Sequence, residues 1–221
     1  FHGTPSNPVE EIKARYDRHL RECWDTPEGS YLVGCDADGI QLRVLADYMW
    51  RHFDADMYAK AIMEGKKENE TDIHNMNKNA LGVANGTRDM AKTFIYAWLL
   101  GAGVAKTASI LGVGMREATA ARKRFEKNID GLAPLKRRLV PYIGEQGYFT
   151  GYDGRKVKGI NFKMVGFIHD EYQIEVTGTK EEAEHMGQLV ATTMSQTGEE
   201  LGFKIPTPGS YEVGRNWLDT H

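Results

Sequence analysis

Short apolar runs and longer helical patterns of apolar residues alternate along the chain. The run at 31–35, YLVGC, predicts a short buried strand because it is continuously apolar and is bounded by turn-forming residues. Apolar residues at helical spacing follow from Ile40, which predicts a helix just after this strand. A second strong helical pattern covers residues 88–100, where Thr87 is a good N-cap residue and Gly101 ends the pattern.

The second half of the chain adds further helical patterns and two predicted hairpins. Residues 104–142 have helical spacing and many basic residues, and the turn signal Asp153-Gly154 predicts a β-hairpin. In residues 164–176, MVGFIHDEYQIEV, the triplet HDE lies between two apolar arms, which predicts a second hairpin. An amphipathic helix is expected over 179–202, and the tail, 205–221, is predicted to be poor in strand.

The composition is that of an ordinary globular chain, with 41% hydrophobic and 27% charged residues among 221. Two cysteines are too few for a disulfide framework, which predicts a reducing, intracellular setting. No apolar run approaches the roughly 20 residues that span a bilayer, and no N-terminal targeting segment is visible. We therefore expect a cytoplasmic location and no membrane partner.

Positive charge is concentrated in the middle of the chain, although the net charge is −3. Residues 88–163 contain 15 Lys and Arg and 6 Asp and Glu, whereas the rest of the chain is strongly acidic. A basic segment in an acidic chain favours contact with a polyanion such as nucleic acid. Solvated basic helix faces would give the same pattern, so charge alone leaves both interpretations open.

Three side chains form one stripe on the predicted helix 88–100. Arg88, Lys92 and Tyr96 are spaced by four residues, and each such step departs by only about 40° from a full number of turns. Arg88 falls in the first turn, where the helix dipole disfavours a cation unless an anion lies close by. Phosphate is the usual anion at such a position. The opposite face, formed by Phe94, Ile95, Trp98 and Leu99, can be buried.

Two aspartates are candidate ligands for hard cations. Asp170 lies at the turn of the predicted hairpin, and Asp36 lies where a strand ends and a helix begins. Two Asp side chains on neighbouring strands can hold the two Mg²⁺ ions of a phosphoryl-transfer site. The alternatives are that Asp170 only forms a turn and that Asp36 only caps a helix.

Together, three stretches of the chain resemble motifs A, B and C of the family A DNA polymerases, the DNA polymerase I type. They are DADGIQLRVLADYM at 36–49, RDMAKTFIYAWLLGAG at 88–103 and VGFIHDEYQIEV at 165–176. The second is the most specific, because R-x-x-x-K-x-x-x-Y followed by G-x-G is rarely reached by chance. The resemblance covers residues 20–221 and is strongest to the phage replicative branch.

The resemblance implies a metal site. Asp36 and Asp170 would bind two Mg²⁺ ions, for which Mn²⁺ could substitute, and the Ala37 carbonyl would assist. His169 and Glu171 would flank these ions near the primer end. The final stretch, WLDTH, resembles the phage-type ending, in which the C-terminal histidine, here His221, reaches toward the active site.

The resemblance also implies a nucleotide site. Arg88 and Lys92 would bind the triphosphate, with Lys92 as the general acid for pyrophosphate departure, and Tyr96 would pack against the sugar and base. A tyrosine at this position goes with tolerance of dideoxynucleotides in the family. His74 resembles a histidine that contacts phosphate, and Gln41 occupies the position of a residue that selects against the ribose 2′-hydroxyl.

The implied fold is α+β: a small antiparallel palm sheet backed by helices, with a mostly helical fingers subdomain inserted. Residues 1–71 would form the first part of the palm, 72–142 the fingers and 143–221 the rest of the palm. The implied activity is template-directed nucleotidyl transfer from dNTP to a primer 3′-OH. The implied partners are primer–template DNA, dNTPs, and a processivity factor or the missing thumb and exonuclease, in a bacterial or phage-infected cell.

The sequence departs from the family pattern at three places. Gln41 replaces the usual Glu, which puts sugar selectivity in doubt, and Asp38 replaces a small residue, which adds a carboxylate near the metals. Only 13 residues, 156–168, separate Arg155 from His169, where the family has a several-fold longer segment. We therefore expect an incomplete or shortened polymerase domain.

Two other functional classes fit parts of the sequence. A metal phosphohydrolase would use the His169-Asp170 doublet with further histidines such as His52 or His74. A non-catalytic DNA-binding module would use residues 105–125, which resemble a helix-turn-helix with Gly114 near the turn. The second alternative explains the basic segment but leaves Asp36 and the 88–96 stripe without a role.

Overall fold

The computed structural model describes residues 18–19, 21–23, 25–146, 148–150, 154, 156–158 and 171–220. These residues fall into two compact units. The first takes its residues from Phe1–Ile40, His169–Glu200 and Thr207–His221, and the second from Gln41–Ile168 and Leu201–Pro206. The three-part division expected from the sequence stays a prediction.

The first unit contains a three-stranded antiparallel sheet. Its strands are β1 (Ser30–Ala37), β4 (Glu171–Thr177) and β5 (Gly209–Gly214), in the order β4-β1-β5. The central strand is almost entirely apolar, and its residues Val33 and Cys35 are fully buried. The strands of motifs A and C thus lie side by side, and the small antiparallel sheet that the resemblance implies is confirmed.

Strand β5 corrects the prediction that the C-terminal tail is poor in strand. It pairs with β1 along the edge opposite to β4, with Cys35 opposite Tyr211 and Val33 opposite Val213. The tail offers only these two alternating apolar residues, Tyr211 and Val213, before Gly214, which is too short a pattern to identify a strand. Pairing with the buried strand β1 therefore determines the extended conformation of β5.

Helix α8 (Lys180–Glu200) covers the sheet of the first unit. Its N-terminus is a reciprocal capping box: the Thr179 backbone N–H donates to Glu182 Oε2 at 2.7 Å, and the Glu182 N–H donates to Thr179 Oγ1 at 3.2 Å. Ala183, Gly187 and Ala191 are buried at a spacing of four. These small residues let the helix backbone approach the sheet closely.

The second unit is mostly helical. Its described helices are α1 (Ile40–Phe53, apart from its first residue), α2 (Met57–Met63), α3 (Ile73–Leu81), α4 (Arg88–Leu99), α5 (Val104–Leu111), α6 (Met115–Asn128) and α7 (Leu132–Gln146). The predicted hairpin around Asp153-Gly154 is confirmed, with β2 (Tyr148–Thr150) antiparallel to β3 (Lys156–Lys158). In the described part of the chain, every helix is too short or too polar to cross a bilayer.

An aromatic cluster forms the centre of the second unit. Phe125 on α6 packs edge to face against Phe94 at 5.1 Å and Trp98 at 5.5 Å between ring centroids, both on α4. Phe94, Ile95 and Phe125 are almost fully buried. The prediction that this face of α4 is buried is therefore confirmed for Phe94 and Ile95, whereas Trp98 and Leu99 are half-buried.

Two arginines of α6 satisfy backbone carbonyls of neighbouring helix ends. Arg124 Nε donates to Leu81 O at 2.9 Å and its Nη2 donates to Gly82 O at 3.2 Å. Arg122 Nη1 donates to Ala102 O at 2.7 Å. Helix C-terminal carbonyls need such donors. Part of the basic excess thus has a structural role.

Candidate functional site

Asp36 lies at the exposed end of β1 in the first unit. It is opposite Glu171 on one neighbouring strand and Ser210 on the other. Close by, Asp38 Oδ1 accepts a hydrogen bond from Ser210 Oγ at 2.7 Å. Burial raises the pKa of the Cys35 thiol, and the negative charges of Asp36 and Asp38 raise it further. Two carboxylates therefore lie near this end of the strand.

Several predicted residues of the metal site lie outside the described residues. These are His169, Asp170 and His221. Glu171 is the first residue of β4, and Ala37 is the last residue of β1, opposite Gly209. Within the described ranges, no group of three or more His, Cys, Asp or Glu side chains could hold a metal ion. The carboxylate of Asp36 is the kind of oxygen ligand that Mg²⁺ prefers.

Helix α4 presents the predicted nucleotide-binding stripe in the second unit. Thr87 caps the helix, and its Oγ1 accepts from the Met90 backbone N–H at 3.2 Å. Lys92 is exposed, Tyr96 is half-buried, and the Arg88 side chain is 26% exposed. The stripe therefore faces outward from the buried side of the helix.

Arg88 is paired with a carboxylate that the sequence does not reveal. Its Nη2 lies 2.6 Å and its Nε 3.0 Å from Asp72 Oδ2, and Nε is also 3.3 Å from Asp72 Oδ1. The sequence predicts an anion beside this helix N-terminus, and the structure supplies Asp72 in that position. Burial acts to raise the pKa of the Asp72 carboxyl, but the contacts with Arg88 and the hydrogen bonds from Asn75 and His74 outweigh it, so the pKa is lowered.

Asp72 is also the N-cap of α3. Its carboxylate accepts from the backbone N–H groups of His74 and Asn75, both at 3.4 Å, and from Asn75 Nδ2 at 2.6 Å. An aspartate directly before a helical pattern is a recognisable N-cap signal. Its contact with Arg88, 16 residues further on, leaves no such signal in the sequence.

His74 lies in the first turn of α3 and is 8% exposed. Burial lowers its pKa to about 4, with a further lowering by the positive charges of Arg88 and Lys92. Its ring centroid is 6.3 Å from that of Tyr96. The structure thus brings together His74, Arg88 and Tyr96, three of the residues predicted for nucleotide binding.

The buried polar pair of Tyr58 on α2 and Asn77 on α3 was missed by sequence reasoning. Tyr58 Oη donates to Asn77 Oδ1 at 3.1 Å, and both residues are almost fully buried. Among the described residues, His74 Nδ1 and Asn77 Nδ2 are buried without a hydrogen-bond partner. Asn77 follows His74 by three residues, so the two groups share one face of α3.

Asp47 on α1 shows how a buried carboxylate can be structural. It is fully buried, and its Oδ2 accepts from Arg51 Nε at 3.1 Å. Its Oδ1 accepts from the Lys204 backbone N–H at 2.7 Å. Asp47 therefore holds residues 201–206 within the second unit, although it belongs to the same motif stretch as Asp36.

A model of DNA polymerase family A matches residues 8–163, more than half of the chain. The chain belongs to DNA polymerase family A. This membership confirms the resemblance carried by the three motifs, and it removes the metal phosphohydrolase alternative. The two histidines of that alternative have other surroundings: His74 is buried beside Tyr96, and His52 stacks on Tyr48 with 5.7 Å between ring centroids.

The curated relatives of this family A chain include two phage enzymes, both named DNA-directed DNA polymerase. That of Enterobacteria phage T3 is 29% identical over 243 residues, covering 86% of this chain and 33% of the relative. That of Escherichia phage Phieco32 is 28% identical over 267 residues, covering 89% and 42%. The chain therefore spans about a third to two fifths of the length of these relatives. Both alignments are longer than the chain's 221 residues, so they include positions that it lacks.

The family fold is also found among solved structures. The POL domain of Pol1 from M. smegmatis, in complex with DNA primer-template and dNTP, superimposes with a TM-score of 0.69. The match covers 91% of this chain and 42% of that chain, at 17% sequence identity. The α+β polymerase fold is thus established for this chain, whereas the roles of individual site residues stay predictions.

Proposed function

We propose that this chain is the palm-and-fingers portion of a template-directed DNA polymerase. It would transfer a nucleotidyl group from dNTP to the 3′-OH of a primer on a DNA template. The observation that carries the proposal is the face of α4, where Arg88, Lys92 and Tyr96 form one stripe and His74 lies beside it. Such a concentration of phosphate-binding groups beside an aromatic ring suits a nucleoside triphosphate.

The residues proposed to bind metal ions belong to the first unit. Asp36 and Asp170, with the Ala37 carbonyl, would hold two Mg²⁺ ions, and Mn²⁺ could substitute. When bound, such ions stabilise the attacking and leaving oxygens of an in-line phosphoryl transfer. Oxygen ligands at the end of β1 fit these hard cations. His169, Glu171 and His221 would support the primer end.

The three residues of the α4 stripe and His74 on α3 have separate tasks. Arg88 binds the triphosphate through its guanidinium, and exposed Lys92 binds it as a point charge and donates a proton to the departing pyrophosphate. Tyr96 packs against the sugar and base. His74 is neutral at pH 7 because its pKa is about 4, so it contacts phosphate as a neutral hydrogen-bond donor.

The test is Mg²⁺-dependent primer extension by the full 221-residue chain. Asp36→Ala and Asp170→Ala are each expected to abolish extension, because the remaining carboxylate cannot hold both ions. Glu175→Ala is the matched control, since it removes an exposed carboxylate from the same sheet on β4. Circular dichroism should show the same helix content in all four proteins.

Three outcomes of the primer-extension assay would each contradict a different part of the proposal. Retained extension in both Asp variants would rule out the two-metal assignment. A loss of extension in Glu175→Ala equal to that in Asp36→Ala would mean that sheet stability, rather than metal binding, explains the result. No extension by the unmodified chain with either Mg²⁺ or Mn²⁺ would contradict polymerase activity in this form.

A second candidate function is DNA binding without catalysis. Helices α5 and α6 are joined through Gly112, which has a left-handed φ of +61°. Arg116, Lys123 and Lys127 are exposed along α6. This candidate predicts DNA binding by the unmodified chain with no extension, and equal DNA affinity for Asp36→Ala.

A further inference from the structure

The Asp72 carboxylate contacts two helices of the second unit at once. It accepts from the backbone N–H groups at the start of α3 and from the guanidinium at the start of α4. Asp72 is only 8% exposed, so its bonds to the start of α3 are shielded from water, whereas its bonds to Arg88 are partly shielded. A carboxylate with so many donors has few alternative orientations.

Arg88 uses one edge of its guanidinium for this contact. The Nε and Nη2 atoms face Asp72, while Nη1 lies 3.8 Å from Asp89 Oδ1, which is too long for a hydrogen bond. A guanidinium has five N–H donors in a rigid plane. Fixing one edge therefore fixes the direction of the remaining donors, and these can receive a second anion.

The same carboxylate fixes His74. The His74 backbone N–H donates to Asp72 Oδ2, and the adjacent Asn75 side chain closes the turn with a bond of 2.6 Å to Oδ1. His74 and Arg88 belong to different helices, yet both depend on Asp72 for their local geometry. Two of the three residues proposed to meet the triphosphate, His74 and Arg88, thus share one anchor.

We propose that Asp72 is a positioning residue of the nucleotide site, which orients Arg88 for the triphosphate end of the nucleotide. This inference rests on the proposed function, since it requires that Arg88 binds phosphate. Asp72 itself does not touch the nucleotide. It sets the direction of the Arg88 donors before the ligand arrives, which reduces the ordering required on binding.

The direction in which the triphosphate affinity changes when the Asp72 charge is removed distinguishes positioning of Arg88 from simple electrostatic repulsion. A carboxylate near a phosphate site repels the ligand, so removing its charge should strengthen triphosphate binding if charge alone matters. If Asp72 holds Arg88 in place, removing the charge should weaken binding. If Asp72 has only a structural role, replacing it should lower the stability of the protein and leave the triphosphate affinity of the folded protein unchanged.

Isothermal titration calorimetry of the full 221-residue chain with dATP and Mg²⁺ provides the test. Asp72→Asn and Asp72→Ser both keep an N-cap residue for α3, so either variant serves if the other does not fold. Each is expected to weaken dATP binding about tenfold through lost preorganisation. Asp89→Asn is the matched control, because Asp89 is also close to Arg88 and its side chain is 92% exposed.

The control and a double variant define the outcomes. Asp89→Asn should bind dATP equally or more tightly, since it removes a repelling charge without releasing the guanidinium. Asp72→Asn combined with Arg88→Ala should bind no more weakly than Arg88→Ala alone, because there is no guanidinium left to orient. Equal weakening by Asp72→Asn in both backgrounds would overturn the inference.

Failure of the inference can be told apart from failure of the proposed function. If the unmodified chain binds dATP and both Asp72 variants bind it as tightly or more tightly, the positioning role is wrong and the nucleotide site stands. If the unmodified chain binds neither dATP nor inorganic tripolyphosphate, both the site and the positioning role are wrong. Binding of tripolyphosphate should weaken in parallel with dATP, because Arg88 is proposed to meet the phosphates.

Discussion

His74 couples the stability of the second unit to pH. Its pKa is lowered from 6.5 to about 4 in the folded protein, so between these values the unfolded chain binds a proton that the folded chain does not. The free energy of unfolding should therefore fall as the pH decreases from 6.5 to 4. The contribution of one such group has a slope of up to about 1.4 kcal/mol per pH unit.

Urea unfolding at several pH values between 4 and 7.5 measures this effect. His74→Gln should remove the His74 part of the slope, so the difference between the two proteins should grow steadily above pH 4 and level off above 6.5. Asp72 also has a lowered pKa, but its contribution is lost only below its ordinary value of 3.8. Parallel pH profiles for both proteins would contradict the neutral, buried state of His74.

The residues of motif B illustrate what a sequence can predict at this scale. Spacing alone places Arg88, Lys92 and Tyr96 on one stripe, because helix geometry is regular. The identity of the anion beside Arg88 was not predictable, since Asp72 reaches it only through the packing of α3 on α4. Local periodicity fixes which residues share a face and leaves open what that face meets.

Helix α4 depends on α6 for its position, which gives a prediction at the scale of elements. Phe125→Ala should lower the free energy of unfolding by about 3–5 kcal/mol, because it leaves a cavity between Phe94 and Trp98. Met115→Ala on the same helix is the control: Met115 is 54% exposed, and its change should stay within about 0.5 kcal/mol. Equal effects in urea unfolding would contradict the aromatic cluster.

The contact of α8 with β5 gives a prediction of unusual sign. Gly→Ala in a helix interior normally stabilises by up to about 1 kcal/mol. At Gly187 the added methyl group would overlap the ring of Tyr211, so Gly187→Ala should instead destabilise the first unit.

Thermal unfolding followed by circular dichroism distinguishes the two outcomes. Gln196→Ala, at an exposed position of the same helix, is the control and should be neutral or slightly stabilising. A higher melting temperature for Gly187→Ala would show that α8 does not lie this close to the sheet.

The elements differ in how far the sequence predicts them. Helix α4 has a cap, a periodic apolar face and a glycine stop, and all three signals agree. Strand β5 has two alternating apolar residues, Tyr211 and Val213, and gains its conformation from pairing with β1. Local sequence signals identify α4, whereas β5 forms only because the edge of β1 is available for pairing.

Across the whole molecule, positive charge is divided between structural and exposed side chains. Arg122 and Arg124 donate to backbone carbonyls, and Lys136 Nζ is 2.6 Å from Glu126 Oε1. Lys123 and Lys127 are exposed on α6. If the chain binds primer–template DNA as proposed, these two lysines are the better candidates for phosphate contacts.

The salt dependence of DNA binding tests this division. Lys123→Gln with Lys127→Gln should reduce the slope of log K against log salt by about 0.9 for each phosphate that the protein no longer neutralises. Lys136→Gln is the control, and its slope should match that of the unmodified chain. Fluorescence anisotropy with a labelled primer–template provides the measurement, and equal slopes for all three proteins would contradict the assignment.

The central position of β1 has a consequence for synthesis of the protein. Ser30 on β1 meets Thr177 across 147 residues of chain, and Asp38 meets Ser210 across 172. At typical translation rates, roughly 10 to 35 seconds separate β1 from its last partner. During that interval the nascent strand exposes both hydrogen-bonding edges, and such edges pair with wrong partners. The helices between β1 and β4 make nearer contacts and can fold first, so the strand that carries Asp36 is made among the earliest described residues and completed among the last.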